Sequence, residues 1–127
     1  MRIEELEKIE LKHYGEIYGR DFTIRNIRRN YEKLNYIGAY LDEKLVGACY
    51  YFAVDGAACF DGLLVDIDYR GRYIATTIIE EVVKRTLGNV LFLHAADDDT
   101  PKEMYGKMGF EVVNKVYEYS CSDLSEI

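Results

Sequence analysis

Two arginines flank a glycine where an apolar run gives way to an amphipathic one: Leu63-Leu64-Val65-Asp66-Ile67-Asp68-Tyr69-Arg70-Gly71-Arg72-Tyr73-Ile74-Ala75. The first part reads as a strand and the part that follows has helical spacing. The first N–H groups of a helix have no partners within it and carry positive partial charge. Arg70 and Arg72 would add bidentate donors of the kind that hold phosphate. The chemistry on offer is capture of an anion, foremost a phosphorylated ligand. A basic surface turn has the same residues, so the stretch alone leaves both readings open.

The elements that must position this turn are legible on both sides of it. Ile3, Leu6, Ile9, Tyr14, Ile17 and Tyr18 space as one helix face, interrupted or ended near Gly15 or Gly19. Ile24, Ile27, Tyr31 and Leu34 predict a second helix, with Asp21 or Thr23 as its cap and Arg25, Arg28, Arg29 and Lys33 on its solvated face. Strands are expected over Tyr36–Leu41, Leu45–Val54 and Ala57–Asp66, the last two joined by a tight turn at Asp55-Gly56. This antiparallel meander runs straight into the arginine turn.

After the turn, Ile74, Ala75, Ile78, Ile79, Val82, Val83 and Leu87 form the apolar face of a helix that Gly88 closes. Val90–Ala95 is a short continuous apolar run, expected to be a strand buried on both faces. Strand, helix and buried strand make a parallel crossover. Thr100-Pro101-Lys102-Glu103 signals a helix start, Gly109 its stop, and Phe110–Cys121 a final strand.

Composition narrows the function classes. One domain of 127 residues, 49% hydrophobic and 31% charged, can hold a core of its own. A net charge of −7 argues against general nucleic-acid binding, which relies on Lys and Arg neutralising phosphates. It suits a cationic or amine-bearing partner. Three scattered cysteines and two histidines predict reduced thiols, no metal site and a cytoplasmic setting. The sequence has no apolar run of membrane-spanning length.

Two motifs in this order carry a resemblance. Arg70-Gly71-Arg72-Tyr73-Ile74-Ala75 fits the pattern (Arg/Gln)-x-x-Gly-x-(Gly/Ala), except that Tyr73 stands where the pattern has glycine. Met104-Tyr105-Gly106-Lys107-Met108-Gly109-Phe110 fits the box Leu-Tyr-x-x-x-Gly-Phe. One helix and one strand separate them, and together they resemble the GNAT superfamily of acyl-CoA-dependent N-acetyltransferases. The implied fold is α+β, a three-layer α/β arrangement in which a mixed, mostly antiparallel sheet has helices on both faces. The family's first strand has no counterpart in Met1–Lys12. Tyrosine at position 73 is expected to be tolerated, because a helix-start φ is negative.

The resemblance also implies an activity: transfer of the acetyl group of acetyl-CoA to an amine of a small molecule or peptide, by direct attack in a ternary complex. The pyrophosphate falls to the N–H groups of Arg70, Gly71, Arg72, Tyr73, Ile74 and Ala75. The pantetheine arm falls to the backbone of Leu63, Leu64 and Val65. Tyr105 is the implied general acid at the coenzyme sulfur, and Asp98 stands where many members have a coenzyme-facing Asn. Asp61 shares the side-chain parity of Leu63 and Val65 on a regular strand, so it could orient a water towards the amine or sit in solvent at a hairpin end. Cys59 shares its parity and reads as a small buried thiol; His94 reads as a core or rim residue. A homodimer is plausible through an incomplete sheet edge. The alternative is a degenerate relative that binds acyl-CoA without transferring anything.

Overall fold

The computed structural model describes residues 1–94 and 101–112. The chain forms two compact units, Met1–His94 and Ala95–Ile127. In the first, helices α1 (Ile3–Tyr18) and α2 (Arg20–Tyr31) precede strands β1 (Asn35–Leu41), β2 (Lys44–Val54) and β3 (Ala57–Val65). A one-turn 3-10 helix (Ile67–Tyr69), helix α3 (Ile74–Arg85) and strand β4 (Val90–Phe92) follow. The described part of the second unit contains helix α4 (Pro101–Lys107). Helix α1 runs through Gly15 and stops at Gly19, whose φ is +86°. That glycine also starts α2, so neither Asp21 nor Thr23 is the cap; the Thr23 hydroxyl instead donates back to the Gly19 carbonyl at 2.9 Å.

The four strands lie in the order β1-β2-β3-β4, antiparallel except for the β3–β4 pair. Asp42-Glu43 and Asp55-Gly56 make the two hairpin turns with all four φ values positive, the geometry that matches strand twist. The expected parallel crossover through α3 is present, but β4 is shorter than anticipated and not buried. Val90 is 73% exposed, because β4 is the sheet edge among the described residues and pairs on one side alone. Leu87, expected on the apolar face of α3, lies past the helix end and is exposed. No strand lies in residues 1–18, as anticipated.

Helices pack on both faces of the sheet. Leu6, Ile9 and Ile27 from α1 and α2 pack with Leu45, Ala48 and Leu64 on one face. On the other, Ile74 and Ile78 of α3 press against Gly47, where a Cβ would come within 3.1 Å of both. Ile79 and Val82 are fully buried behind them.

One irregularity in β3 matters for everything downstream. Ala48 pairs with Leu64, but Tyr50 pairs with Asp61, so two residues of β3 oppose one of β2. The extra residue is accommodated at Gly62, whose φ is +65°, as in a glycine-led bulge. The Tyr50 ring lies where a Gly62 Cβ would be, at 2.5 Å. A bulge changes side-chain parity. Asp61 therefore shares the face of Leu64, its register partner's neighbour, and not that of Val65, as an unbroken strand would dictate. Gly62→Ala should destabilise the protein by about 2 kcal/mol, combining the left-handed penalty with displacement of the Tyr50 ring. Chemical denaturation checks this; an unchanged midpoint would contradict the bulge.

Candidate functional site

The arginine turn is held from below by α1. Asp66, buried where β3 ends, accepts from Lys12 Nζ at 2.7 Å and from the Asp68 N–H at 3.1 Å. Lys12 also reaches Asp68 at 2.6 Å. His13 Nε2 accepts from the Ile67 N–H at 3.0 Å while Nδ1 donates to the Ile9 carbonyl at 2.8 Å, which selects one neutral tautomer. Burial alone would raise the Asp66 carboxyl. The Lys12 ammonium and the Asp68 N–H override it and hold the carboxyl below the usual range.

Above that anchor the backbone turns twice through the left-handed region, at Gly71 (φ +80°) and at Tyr73 (φ +61°). Tyr73 is the N-cap of α3, so the expectation of a negative φ there is overturned. The family's glycine has a conformational reason, and this chain meets it with a tyrosine at a cost of about 1–2 kcal/mol. The Tyr73 side chain points into solvent, 82% exposed, and forms no cap hydrogen bond. The first helical N–H to bond inward is that of Thr77, to the Tyr73 carbonyl at 3.0 Å. The preceding N–H groups of Ile74, Ala75 and Thr76 have no partner among the described residues, and the first turn contains no acidic residue. Arg72 stacks on the Tyr69 ring at 5.3 Å, and Arg70 donates to the Val65 carbonyl at 3.1 Å. Neither has a carboxylate within 4.0 Å among the described residues.

The strand leading into this turn has a free edge. β3 pairs with β4 only from Ala57 to Cys59; from Asp61 to Val65 it has no strand neighbour on that side among the described residues. The Asp66 N–H bonds to the Val46 carbonyl, which sets the alternation: Leu64 faces β2, while Leu63 and Val65 turn their N–H and C=O outward. Of the three backbone positions expected to hold a ligand arm, two therefore face away from β2, with the Val65 carbonyl accepting from Arg70 Nε. Asp61, the expected base, is exposed, and its Oδ1 accepts from the Gly62 N–H at 2.7 Å. Cys59 is a buried thiol, as expected; burial pushes its pKa up.

A second carboxylate escaped the sequence reading. Glu10 of α1 is part-buried. Burial pushes its pKa up to about 7, and it has no hydrogen bond or ion pair among the described residues. Its charge is felt by Tyr14, Tyr36 and Tyr50, and that of Asp61 by Tyr14 and Tyr50. Tyr36 and Tyr50 lie ring to ring at 5.3 Å, and burial, with Asp61 next, raises the Tyr50 hydroxyl to about 12. The missed signal was the spacing Glu10–Tyr14, one helical turn on the face that meets the tyrosines of β1 and β2.

Tyr105 belongs to the second unit. α4 closes in a Schellman motif: the Phe110 N–H reaches the Tyr105 carbonyl and the Gly109 N–H that of Gly106, both at 3.1 Å, with Gly109 at φ +99°. The Phe110 ring meets the Tyr105 ring edge-on at 6.1 Å. Asp98 and most of the expected Phe110–Cys121 strand lie outside the described residues; Phe110–Val112 are not strand.

Solved structures of acetyltransferases share this fold. The chain is similar to the ribosomal-protein-alanine N-acetyltransferase of Brucella melitensis biovar Abortus 2308, with 18% identity, a TM-score of 0.73, and 94% and 93% of the two chains covered. The PaiA N-acetyltransferase of Thermoplasma acidophilum in complex with coenzyme A has 20% identity and a TM-score of 0.66, over 90% of this chain and 86% of that one. The aminoglycoside N-acetyltransferase AAC(6')-Iy, bound to a coenzyme A bisubstrate analogue, has 17% identity and a TM-score of 0.73, over 95% and 92%. No curated protein sequence matches the chain. Residues 32–112 match the acetyltransferase (GNAT) domain family, and the chain belongs to it.

Two outcomes test the turn's construction. Lys12→Met should lower the melting temperature near neutral pH, and the deficit should shrink on acidification. Because the folded carboxyl of Asp66 is depressed, its stabilisation exists above the ordinary carboxylate range and disappears as pH falls through the folded value. A deficit independent of pH would contradict the ion pair. Tyr73→Gly should raise stability by about 1 kcal/mol by relieving the left-handed strain, whereas Tyr73→Val should lower it; thermal melts of both variants decide.

Proposed function

We propose that the protein is an N-acetyltransferase that moves the acetyl group of acetyl-CoA to an amine. The observation that carries the reading is the edge of β3, unpaired from Asp61 among the described residues, running directly into the uncapped start of α3. Pyrophosphate oxygens would accept from the N–H groups of the Arg70–Ala75 turn and the first turn of α3, with the Arg70 and Arg72 side chains nearby. The outward N–H and C=O groups of Leu63 and the N–H of Val65 would pair with the amides of the pantetheine arm, as an added strand pairs with a sheet edge. One of those N–H groups would face the thioester carbonyl, where negative charge develops on transfer.

The acceptor amine must lose a proton before it attacks. Asp61 and Glu10 are the carboxylates that can take it, directly or through a water. Tyr105, by its place in the family's box, would return a proton to the departing sulfur. The acceptor is a small-molecule or peptide amine, and the chain's net charge of −7 suits a cation. A second reading, acyl-CoA binding without transfer, draws on the strained Tyr73 in the anion turn.

Calorimetry with coenzyme A and thiol release from acetyl-CoA with a panel of amines separate these readings. Binding with turnover supports the transferase; binding without turnover on any amine supports the second reading; no binding contradicts both. For an accepted amine, Tyr105→Phe should lower kcat on the order of 10²-fold with little change in coenzyme affinity. The rate should rise with pH through about 7, where Glu10 becomes a carboxylate and a competent base, and Glu10→Gln should flatten that limb. A wild-type profile flat across this range would remove Glu10 from the chemistry.

A further inference from the structure

The segment between β3 and α3 is tied to α1 at two points, Lys12 to Asp66 and His13 to Ile67. The tie at Ile67 exists only with a neutral ring. His13 Nδ1 donates to the Ile9 carbonyl at 2.8 Å, so Nε2 carries the lone pair that accepts from the Ile67 N–H at 3.0 Å. An imidazolium has a hydrogen on both nitrogens, and two N–H groups would then meet head to head. The side chain is only 10% exposed, so solvent does not make good the lost bond. Histidine is also the side chain whose ordinary charge change falls between about pH 5 and 8.

Asp66 offers the one carboxylate within 4.0 Å of the ring among the described residues, with Oδ1 3.9 Å from Nε2. That oxygen already accepts from Lys12 Nζ at 2.7 Å and from the Asp68 N–H at 3.1 Å. A third donor there competes with Lys12 and draws the ring away from Ile67, so protonation disturbs both ties. The hairpin between β1 and β2 brings Glu43 and Lys44 to a groove that Lys12 and Asp66 also line. On α2, Arg28 is taken by Glu7. On α1, Glu10 and Glu16 stand about one turn to either side of His13. Asp66, held below the usual carboxylate range, stays ionised where histidine titrates; Glu10, raised to about 7, does not.

We propose that His13 is a positioning residue for the coenzyme: neutral, it sets the turn that leads into α3, and protonated, it loosens that turn and weakens the hold on pyrophosphate. The inference rests on the acetyltransferase reading for its ligand, while the state of the turn can be followed without coenzyme.

Dephospho-coenzyme A is the probe, because its pyrophosphate has no phosphomonoester titrating at about pH 6. Calorimetry at about pH 8 and about pH 5.5 should show an affinity about 5-fold lower at the acid value. His13→Gln, whose amide oxygen can accept where Nε2 does and does not titrate, should keep the higher affinity at both. His13→Leu, which offers no acceptor, should have the lower affinity at both. Glu10 is present in all three proteins, so the comparison cancels its titration. A flat wild type, or an equal acid loss in a folded His13→Gln, overturns the proposal. The ¹⁵N-labelled wild type gives a second readout that needs neither variant nor coenzyme. Its Ile67 amide should shift with the same midpoint as the His13 ring, and the amides of Gly71 and Ile74 should follow. An Ile67 amide that stays put while the ring titrates overturns the proposal as well. No binding of the probe at either pH would contradict the acetyltransferase reading, and the Ile67 amide would still decide whether His13 controls the turn.

Discussion

A single extra residue in β3 governs the architecture around the site. On one side of the bulge, Ala57–Cys59 are bonded to β4; on the other, the strand has β2 as its only neighbour among the described residues. The outward backbone groups of Leu63 and Val65 are strong donors and acceptors that a closed sheet would have consumed. Gly62 permits this through its positive φ and its missing side chain, and Tyr50 fills the space gained. The bulge thus exposes a strand edge and also turns Asp61 towards the tyrosines of the opposite face.

The turn after β3 is built with comparable economy. Lys12 and His13 brace it from α1 through Asp66 and Ile67, so the position of the first N–H groups of α3 depends on a helix distant in sequence. Tyr73 shows what the backbone demands there. The left-handed conformation is kept although the residue disfavours it, which means that neighbouring packing over-determines it. Gly47 permits the close approach of α3 to the sheet, and Asp66 is held by its ion pair; both leave the tyrosine little freedom to relax.

Much of this was legible in the sequence. Turn residues, apolar periodicity and the two motifs located the meander, the crossover, the arginine turn and the short helix with Tyr105, because each follows from local spacing. What escaped depended on register. An unbroken strand assigns Asp61 to the face of Val65; the bulge reverses that assignment, and nothing in Asp61-Gly62-Leu63 beyond a glycine announces it. The sign of φ at Tyr73 escaped for the opposite reason, since tyrosine argues against a conformation that the turn imposes. Glu10 drew no notice, because the burial that raises its carboxyl comes from tertiary packing and not from local spacing. The strand expected to be buried at Val90–Ala95 was overestimated from apolarity alone, which does not reveal whether a neighbour covers it.

The central claim is that the free edge of β3 and the start of α3 together hold an acyl-CoA. Backbone amide chemical shifts of the ¹⁵N-labelled protein, followed during titration with coenzyme A, test it most directly. The account predicts saturable shifts concentrated at Leu63, Val65 and the amides from Gly71 to Thr76, with Leu64, whose N–H faces β2, responding less. Shifts that leave these amides unmoved at saturation, or that cluster on another surface, would contradict it.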